Sequence, residues 1–164
     1  MYLQMMYMHI PMAPQRQPRK TLRTDAQALV ETCAGCNSRL AARRITQFLD
    51  HDLSHLGLTV AQLGLMAHIA AMSDDTLGAL AERTGLEQST LSRNLRTLEK
   101  DGLIEVAIVE TDLRRRAVWL TEAGAHRLEA AIPTWRKANA RLAKTLSVEL
   151  ARRLADQSEL LGQA

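Results

Sequence analysis

Apolar residues recur along most of the chain at helical spacing, so helix is the first reading for most of it. From about Asp25, Leu29, Cys33, Cys36 and Leu40 follow at steps of four, three and four. Ala41, Ile45 and Phe48 form a stripe on another side. This predicts one long helix, ending near residue 56, that touches two surfaces. Thr59 and Gln62 have the spacing of a capping box, with Leu58 and Leu63 placed as its hydrophobic staple. The helix they start extends to about Met72, and "SDD" then breaks the pattern. The stretch "TLGALAERTG" reads as a short helix with Leu77, Leu80 and Ala81 inward.

Gly85 ends that helix and another begins about two residues later, the helix-turn-helix arrangement. In the second helix, Leu91, Leu95 and Leu98 share a face. At about 100° per residue, Ser89, Arg93, Arg96 and Lys100 fall opposite them. Two arginines, a lysine and a small hydroxyl near the N-terminal end suit the major groove. Arg can donate two hydrogen bonds to guanine, and Ser or Thr reaches bases or phosphates. A solvated surface helix carries similar charges, so this helix alone does not decide.

Gly102 closes the helix. "LIEVAIVE" alternates as a strand does, with Ile104, Val106 and Ile108 on one side, and "AVWLT" reads as a second strand. "TDLRRR" joins them, which puts Arg114, Arg115 and Arg116 on a hairpin tip. A narrow basic hairpin directly after a helix-turn-helix is a wing, shaped to enter a minor groove or lie on phosphates. Asp112 is placed to orient the Arg114 guanidinium through a charge-assisted hydrogen bond.

Thr121 caps a long helix in which Leu128, Ile132, Trp135, Asn139, Leu142 and Leu146 alternate at four and three. Pro133 lies in it and predicts a kink. Ser147 caps a last helix with Leu150, Leu154 and Leu161 on one side. So much apolar seam on terminal helices predicts a homodimer. Packing within one chain is the other reading.

Composition narrows the picture. Hydrophobic residues at 46% are enough for a core, and aromatics at 3% are too few for base-stacking platforms on single strands. The net charge of +3 is local: residues 1–24 hold Arg16, Arg19, Lys20 and Arg23 and no acid, leaving 17 basic against 18 acidic residues elsewhere. Placement of the arginines, not bulk charge, must therefore argue for nucleic acid. Residues 1–24 read as a flexible basic tail and 25–164 as a single domain. In that domain, dimerisation helices span about 25–56 and 122–162, and a DNA-binding part spans about 59–121. Pro11 and Pro14 interrupt the apolar start, which has no basic leader, so no signal peptide is expected. No membrane span is expected either, and a cytoplasmic location with reduced thiols is the default.

Long helix, helix-turn-helix, strand, basic wing, strand and long C-terminal helices, in that order, resemble the MarR family of bacterial winged-helix regulators. The resemblance covers about residues 25–162 and is carried by "LTVAQLGLMAHI", "LAERTGLEQSTLSRNLRTLEKDGLI" and "DLRRRAVWLTEAG". It implies a mainly α fold: a winged helix-turn-helix with a two-stranded wing and N- and C-terminal dimerisation helices. It also implies a homodimer on a pseudo-palindrome of double-stranded DNA. On this resemblance Ser89, Thr90 and Arg93 face bases in the major groove. Arg114 is the wing-tip arginine of the minor groove, and Asp112 is the acid of the Asp-x-Arg pair. Arg96, Lys100, Arg115 and Arg116 are added from helical face and charge, with phosphate contact as their role.

Family members respond to a small, often phenolic, ligand or to an oxidant, and the effector here is not fixed by any motif. Cys33 and Cys36, with Arg39, Arg43 and Arg44 downstream, are candidates for oxidation. Positions i and i+3 of a helix are close enough for a disulfide, but the side chains are poorly directed without local unwinding, which Gly35 would permit; a disulfide between subunits is the other route. The competing reading is that both thiols continue the stripe of Leu29 and Leu40 and only pack. His51 and His55 have a metal-holding spacing but lack further ligands, so no metal and no cofactor are expected. No phosphate-cradling glycine loop, nucleophile elbow or His-Glu-x-x-His is present, which argues against an enzyme. The remaining alternative is a winged-helix protein-interaction module without specific DNA binding.

Overall fold

A computed structural model describes residues 20–73, 76–109 and 112–163, without the side chains of 20, 109, 112–115, 162 and 163. Among these described residues, seven α-helices and two strands follow in the order α1 (Lys20–Thr32), α2 (Ala34–Leu53), α3 (Val60–Ala71), α4 (Leu77–Thr84), α5 (Gln88–Lys100), β1 (Ile104–Val109), β2 (Asp112–Leu120), α6 (Glu122–Leu142) and α7 (Val148–Ser158). Single 3-10 segments follow α2 and α7. The chain forms two compact units, divided between Ala41 and Ala42 inside α2, where the sequence predicts one domain after a tail.

The first unit departs from expectation twice. Helix begins at Lys20 rather than near Asp25, so five residues assigned to the flexible tail are helical. Residues 1–19 of that tail lie outside the described residues. The expected long helix is also interrupted at Cys33. The Cys33 N–H donates to the Leu29 carbonyl at 2.9 Å, the last bond of α1, and its carbonyl accepts from the Asn37 N–H at 3.0 Å, the first bond of α2. The Asn37 side-chain amide donates to the Glu31 carbonyl at 3.0 Å and bridges the break. Periodicity persists through this junction, which is why the sequence pattern does not register it.

The second unit contains the core. Leu53, Met66, Leu80, Leu98, Ile104 and Val118 are its largest fully buried side chains, one from each of α2, α3, α4, α5, β1 and β2. Leu128 and Ala131 of α6 join the same cluster. Among the described residues no polar or charged side chain is buried. The predicted caps are in place. The Thr59 hydroxyl accepts from the Gln62 N–H while the Gln62 side chain accepts from the Thr59 N–H, and Leu58 and Leu63 are both buried. The Asp50 carboxylate of α2 adds a second acceptor at this helix start, 2.6 Å from the Val60 N–H.

The α5 helix ends at Gly102, with φ of +69°, where a side chain would be strained. Leu103 N–H donates to Leu98 and Gly102 N–H to Glu99, both at 2.9 Å, closing a Schellman motif. The chain then enters β1, antiparallel to β2 from Ile104↔Leu120 to Ile108↔Arg116. Across that ladder the Trp119 indole N–H donates to the Glu105 carboxylate at 3.1 Å. Thr76 forms an isolated antiparallel bridge to Ala117, which ties the start of α4 to the wing. The Thr121 hydroxyl caps α6 by accepting from Gly124 N–H at 3.0 Å and donates to the Gly102 carbonyl at 2.7 Å. A Cβ on Gly124 would sit 1.9 Å from the Leu103 carbonyl oxygen, so α6 starts in direct backbone contact with the root of the wing. The α6 helix continues through Pro133 to Leu142.

Candidate nucleic-acid interface

The α5 helix is held by one face and presents the other. Leu91, Leu95 and Leu98 are buried against the core, whereas Ser89, Thr90, Arg93, Arg96 and Lys100 are all exposed. Burying three leucines fixes the helix's rotation about its own axis, and rotation decides which polar side chains face out. Of helices α3 to α7, α5 is the one whose N-cap side chain, that of Glu87, makes no capping hydrogen bond. Its first-turn N–H groups are thus not satisfied by the cap.

The wing differs from the predicted tip. Arg114, Arg115 and Arg116 belong to β2, which starts at Asp112 rather than at Ala117. The ladder shifts register between Ile108 and Val109: Ile108 pairs with Arg116, while Val109 pairs with Asp112. Residues 113–115 are therefore extra on the β2 side, an irregularity at the end of the hairpin. Such extra residues bend a strand and re-aim its side chains. The side chains of Asp112, Arg114 and Arg115 lie outside those described, as do residues 110 and 111. The Arg116 side chain is exposed. It lines a recess of about 160 Å³ between α5 and the wing together with Arg96, Glu99, Ser92, Leu77 and Val106. The fold thus brings Arg96 and Arg116, 20 positions apart in sequence, to one recess.

The recess is absent from any local motif, because it depends on how β2 returns past α5. The same holds for a larger apolar cavity of about 490 Å³ between α3 and α6, where Trp135 and Arg136 stand over Val60, Gly64 and Ala67. Trp135 was expected in a helix-packing seam; it is 37% exposed and lines this cavity. A link between α2 and α6 was also missed: the Arg141 guanidinium donates to Asp52 at 2.6 Å and lies 5.0 Å from the centre of the Phe48 ring.

The two cysteines are neither buried nor fully exposed. The Cys33 thiol is held below the ordinary thiol range. The Cys36 N–H and then the Cys36 thiol, as hydrogen-bond donors, are the main causes. Desolvation opposes them, and the Gly35 N–H and the Arg39 charge add smaller contributions. Arg39 also donates to the Cys36 sulfur at 3.7 Å. Among the described residues no group of three or more His, Cys, Asp or Glu is placed to hold a metal, and His51 and His55 are exposed. No single described helix is long and apolar enough to cross a membrane.

Comparison with known proteins agrees with this architecture. The MarR family model matches residues 56–115, from the end of α2's 3-10 turn into the wing. An HTH-type transcriptional regulator of Bacillus cereus is 33% identical over 87 residues, 53% of this chain. The chain spans 57% of the length of that relative. Among solved structures, the Mycobacterium tuberculosis transcriptional regulator MosR in complex with DNA is similar with a TM-score of 0.73 and 32% identity, over 80% of this chain and 97% of MosR. The Staphylococcus aureus MepR–DNA complex matches with a TM-score of 0.65 over 80% of this chain and 98% of MepR, and at 24% identity it supports the fold alone. The chain belongs to the MarR family, with the winged-helix fold of its regulators. Its named relatives are transcriptional regulators, not enzymes.

Proposed function

We propose that this protein is a sequence-specific DNA-binding transcriptional regulator, a repressor that acts as a homodimer on a pseudo-palindromic operator in the cytoplasm. The observation that carries the reading is the α5 helix, whose Ser89, Thr90, Arg93, Arg96 and Lys100 are all exposed opposite three buried leucines. Arg93, Ser89 and Thr90 read base edges, Arg96, Lys100, Arg115 and Arg116 lie on phosphates, and Arg114 enters the minor groove with Asp112 holding it. The resemblance to MosR, whose structure is a complex with DNA, supports the same assignment. Exposed apolar side chains on α1 (Leu22, Leu29, Val30) and α7 (Leu150, Leu154) support a second copy as partner.

Release from the operator follows a signal, either a small ligand or oxidation of Cys33 and Cys36. The apolar cavity between α3 and α6 supports the first route, with Trp135 and Arg136 matching an aromatic anion. Operator binding is tested by anisotropy titration onto the DNA upstream of the protein's own gene across a salt series. Binding that weakens steeply and linearly with log salt is expected, each neutralised phosphate adding about 0.9 to the slope. Absence of salt-dependent binding to any duplex in a randomised pool would instead favour a winged helix that docks only on proteins.

A further inference from the structure

Side chains alternate along a strand, so Leu120, Val118 and Arg116 of β2 share one face, paired across the ladder with Ile104, Val106 and Ile108. Ile104 and Val118 are buried, and Val106 and Leu120 pack against the same core. Ile108 is 55% exposed. The core therefore ends before Ile108, and its row of β2 continues past that end with an arginine. On α5, Ser92, Arg96 and Glu99 follow at steps of four and three. At about 100° per residue they form the flank between the buried leucines and the face of Arg93 and Lys100. These three residues and Arg116 line the recess of about 160 Å³ between α5 and the wing. Both arginines and Glu99 are exposed, and Ser92 is half-buried. None of the ion pairs among the described residues involves Arg96, Glu99 or Arg116.

Two guanidiniums at one recess repel each other, and Glu99 offsets one of the two charges. One positive charge is left, which matches the single negative charge of a phosphodiester. A guanidinium fork presents paired N–H donors to phosphate oxygens, and the Ser92 hydroxyl is a further donor. The recess is too small for an aromatic ligand, because small-molecule pockets begin at about 300 Å³. We propose that Arg96 and Arg116 hold one and the same DNA phosphodiester in this recess, so that α5 and the wing are seated on the backbone by a shared phosphate. A phosphate contact reads no sequence by itself, but it fixes register. Buried leucines set the rotation of Arg96, and the pairing with Ile108 sets the height of Arg116. A phosphate bound by both ties these two placements together and holds Arg93 at one height over the base edges.

The proposal deepens the DNA reading above and rests on it for the source of the phosphate. The test therefore reads the recess with and without DNA. Full-length parent, Arg96→Ala, Arg116→Ala and the double variant are titrated by anisotropy across a salt series. The duplexes are the DNA upstream of the gene and a scrambled one. Each phosphate neutralised contributes about 0.9 to the slope against log salt. Either single variant keeps one cation at a shared phosphate, so each single loses less than that. The double variant is expected to lose about 0.9 in total, equally on both duplexes. A loss of about 1.8 would assign two separate phosphates and overturn the sharing. An unchanged slope in the double variant would remove the recess from the interface. In parallel, DNA-free protein, isotope-labelled on arginine, is titrated with dimethyl phosphate, with sodium chloride at equal ionic strength as control. The Nε–H signals of Arg96 and Arg116, assigned by their loss in the single variants, are expected to shift along one binding curve. Movement of only one signal would overturn the shared site. Movement of both in a protein that binds neither duplex keeps the site and counts against the regulator. No movement and no duplex binding would overturn both. No movement beside the expected slope loss supports the shared phosphate, the rest of the duplex supplying the affinity.

Discussion

In the proposed interface Arg93 and Arg114 have different roles, and single substitutions separate them. Arg93 stands on a helix whose rotation is fixed by buried Leu91, Leu95 and Leu98. If it reads a base edge, Arg93→Ala costs about 1–3 kcal/mol, roughly ten- to hundredfold in operator affinity, and relaxes preference at one base pair. Lys100→Ala, at the far end of the same face, is expected to weaken binding to all sequences and to lower the salt slope by about one. Arg114→Ala is expected to weaken operator binding strongly while sedimentation still shows a dimer. Anisotropy titrations on operator and scrambled duplexes check all three, and unchanged operator affinity in Arg114→Ala would remove the wing from the interface. The exposed face of α5 was legible in sequence because a 3.6-residue period with three leucines determines it. The recess shared by Arg96 and Arg116 was not, since no local pattern states where a returning strand passes.

At the scale of elements, the N-terminus of α6 is where the wing is anchored. Thr121 caps α6 and bonds the Gly102 carbonyl, and Gly124 has no room for a Cβ against the Leu103 carbonyl. Gly124→Ala is therefore expected to destabilise the fold by about 3 kcal/mol, because backbone rather than a mobile side chain must yield. Gly78→Ala is the matched control. Gly78 lies in α4 with open space around it, and alanine's better helix propensity should stabilise by up to about 1 kcal/mol. Urea denaturation of the two variants beside the parent checks the pair; equal effects would mean that the tight contact at Gly124 is not rigid. A glycine three residues past a helix cap was a visible clue to close packing. The Thr76–Ala117 bridge left none, being one residue pair long.

For the whole molecule, the distribution of exposed apolar surface sets the expected assembly. The α7 helix buries no side chain, and Leu150 and Leu154 are 59% and 51% exposed on one stripe. An amphipathic helix of 11 residues with its apolar stripe in water has little to hold it. Sedimentation velocity is expected to show a dimer. Leu150→Glu combined with Leu154→Glu should raise its dissociation constant by about a hundredfold or more, and with it weaken binding to a two-half-site duplex more than to a single half-site. A parent protein that sediments as a monomer at micromolar concentration would refute this assembly.

The sequence by itself determined the identity and order of the elements from Thr59 to Leu161, because caps, helical periods and strand alternation are local properties. It also determined which face of α5 is polar. Three things were decided only by tertiary structure. The helix break at Cys33 was hidden by a stripe that keeps its spacing across the junction. The extension of β2 back to Asp112 depends on a partner strand that local charge does not reveal. The cavity under Trp135 and the recess of Arg96 and Arg116 each require two elements distant in sequence to meet at a definite height and rotation. That placement comes from burying Leu53, Met66, Leu98 and Val118 together.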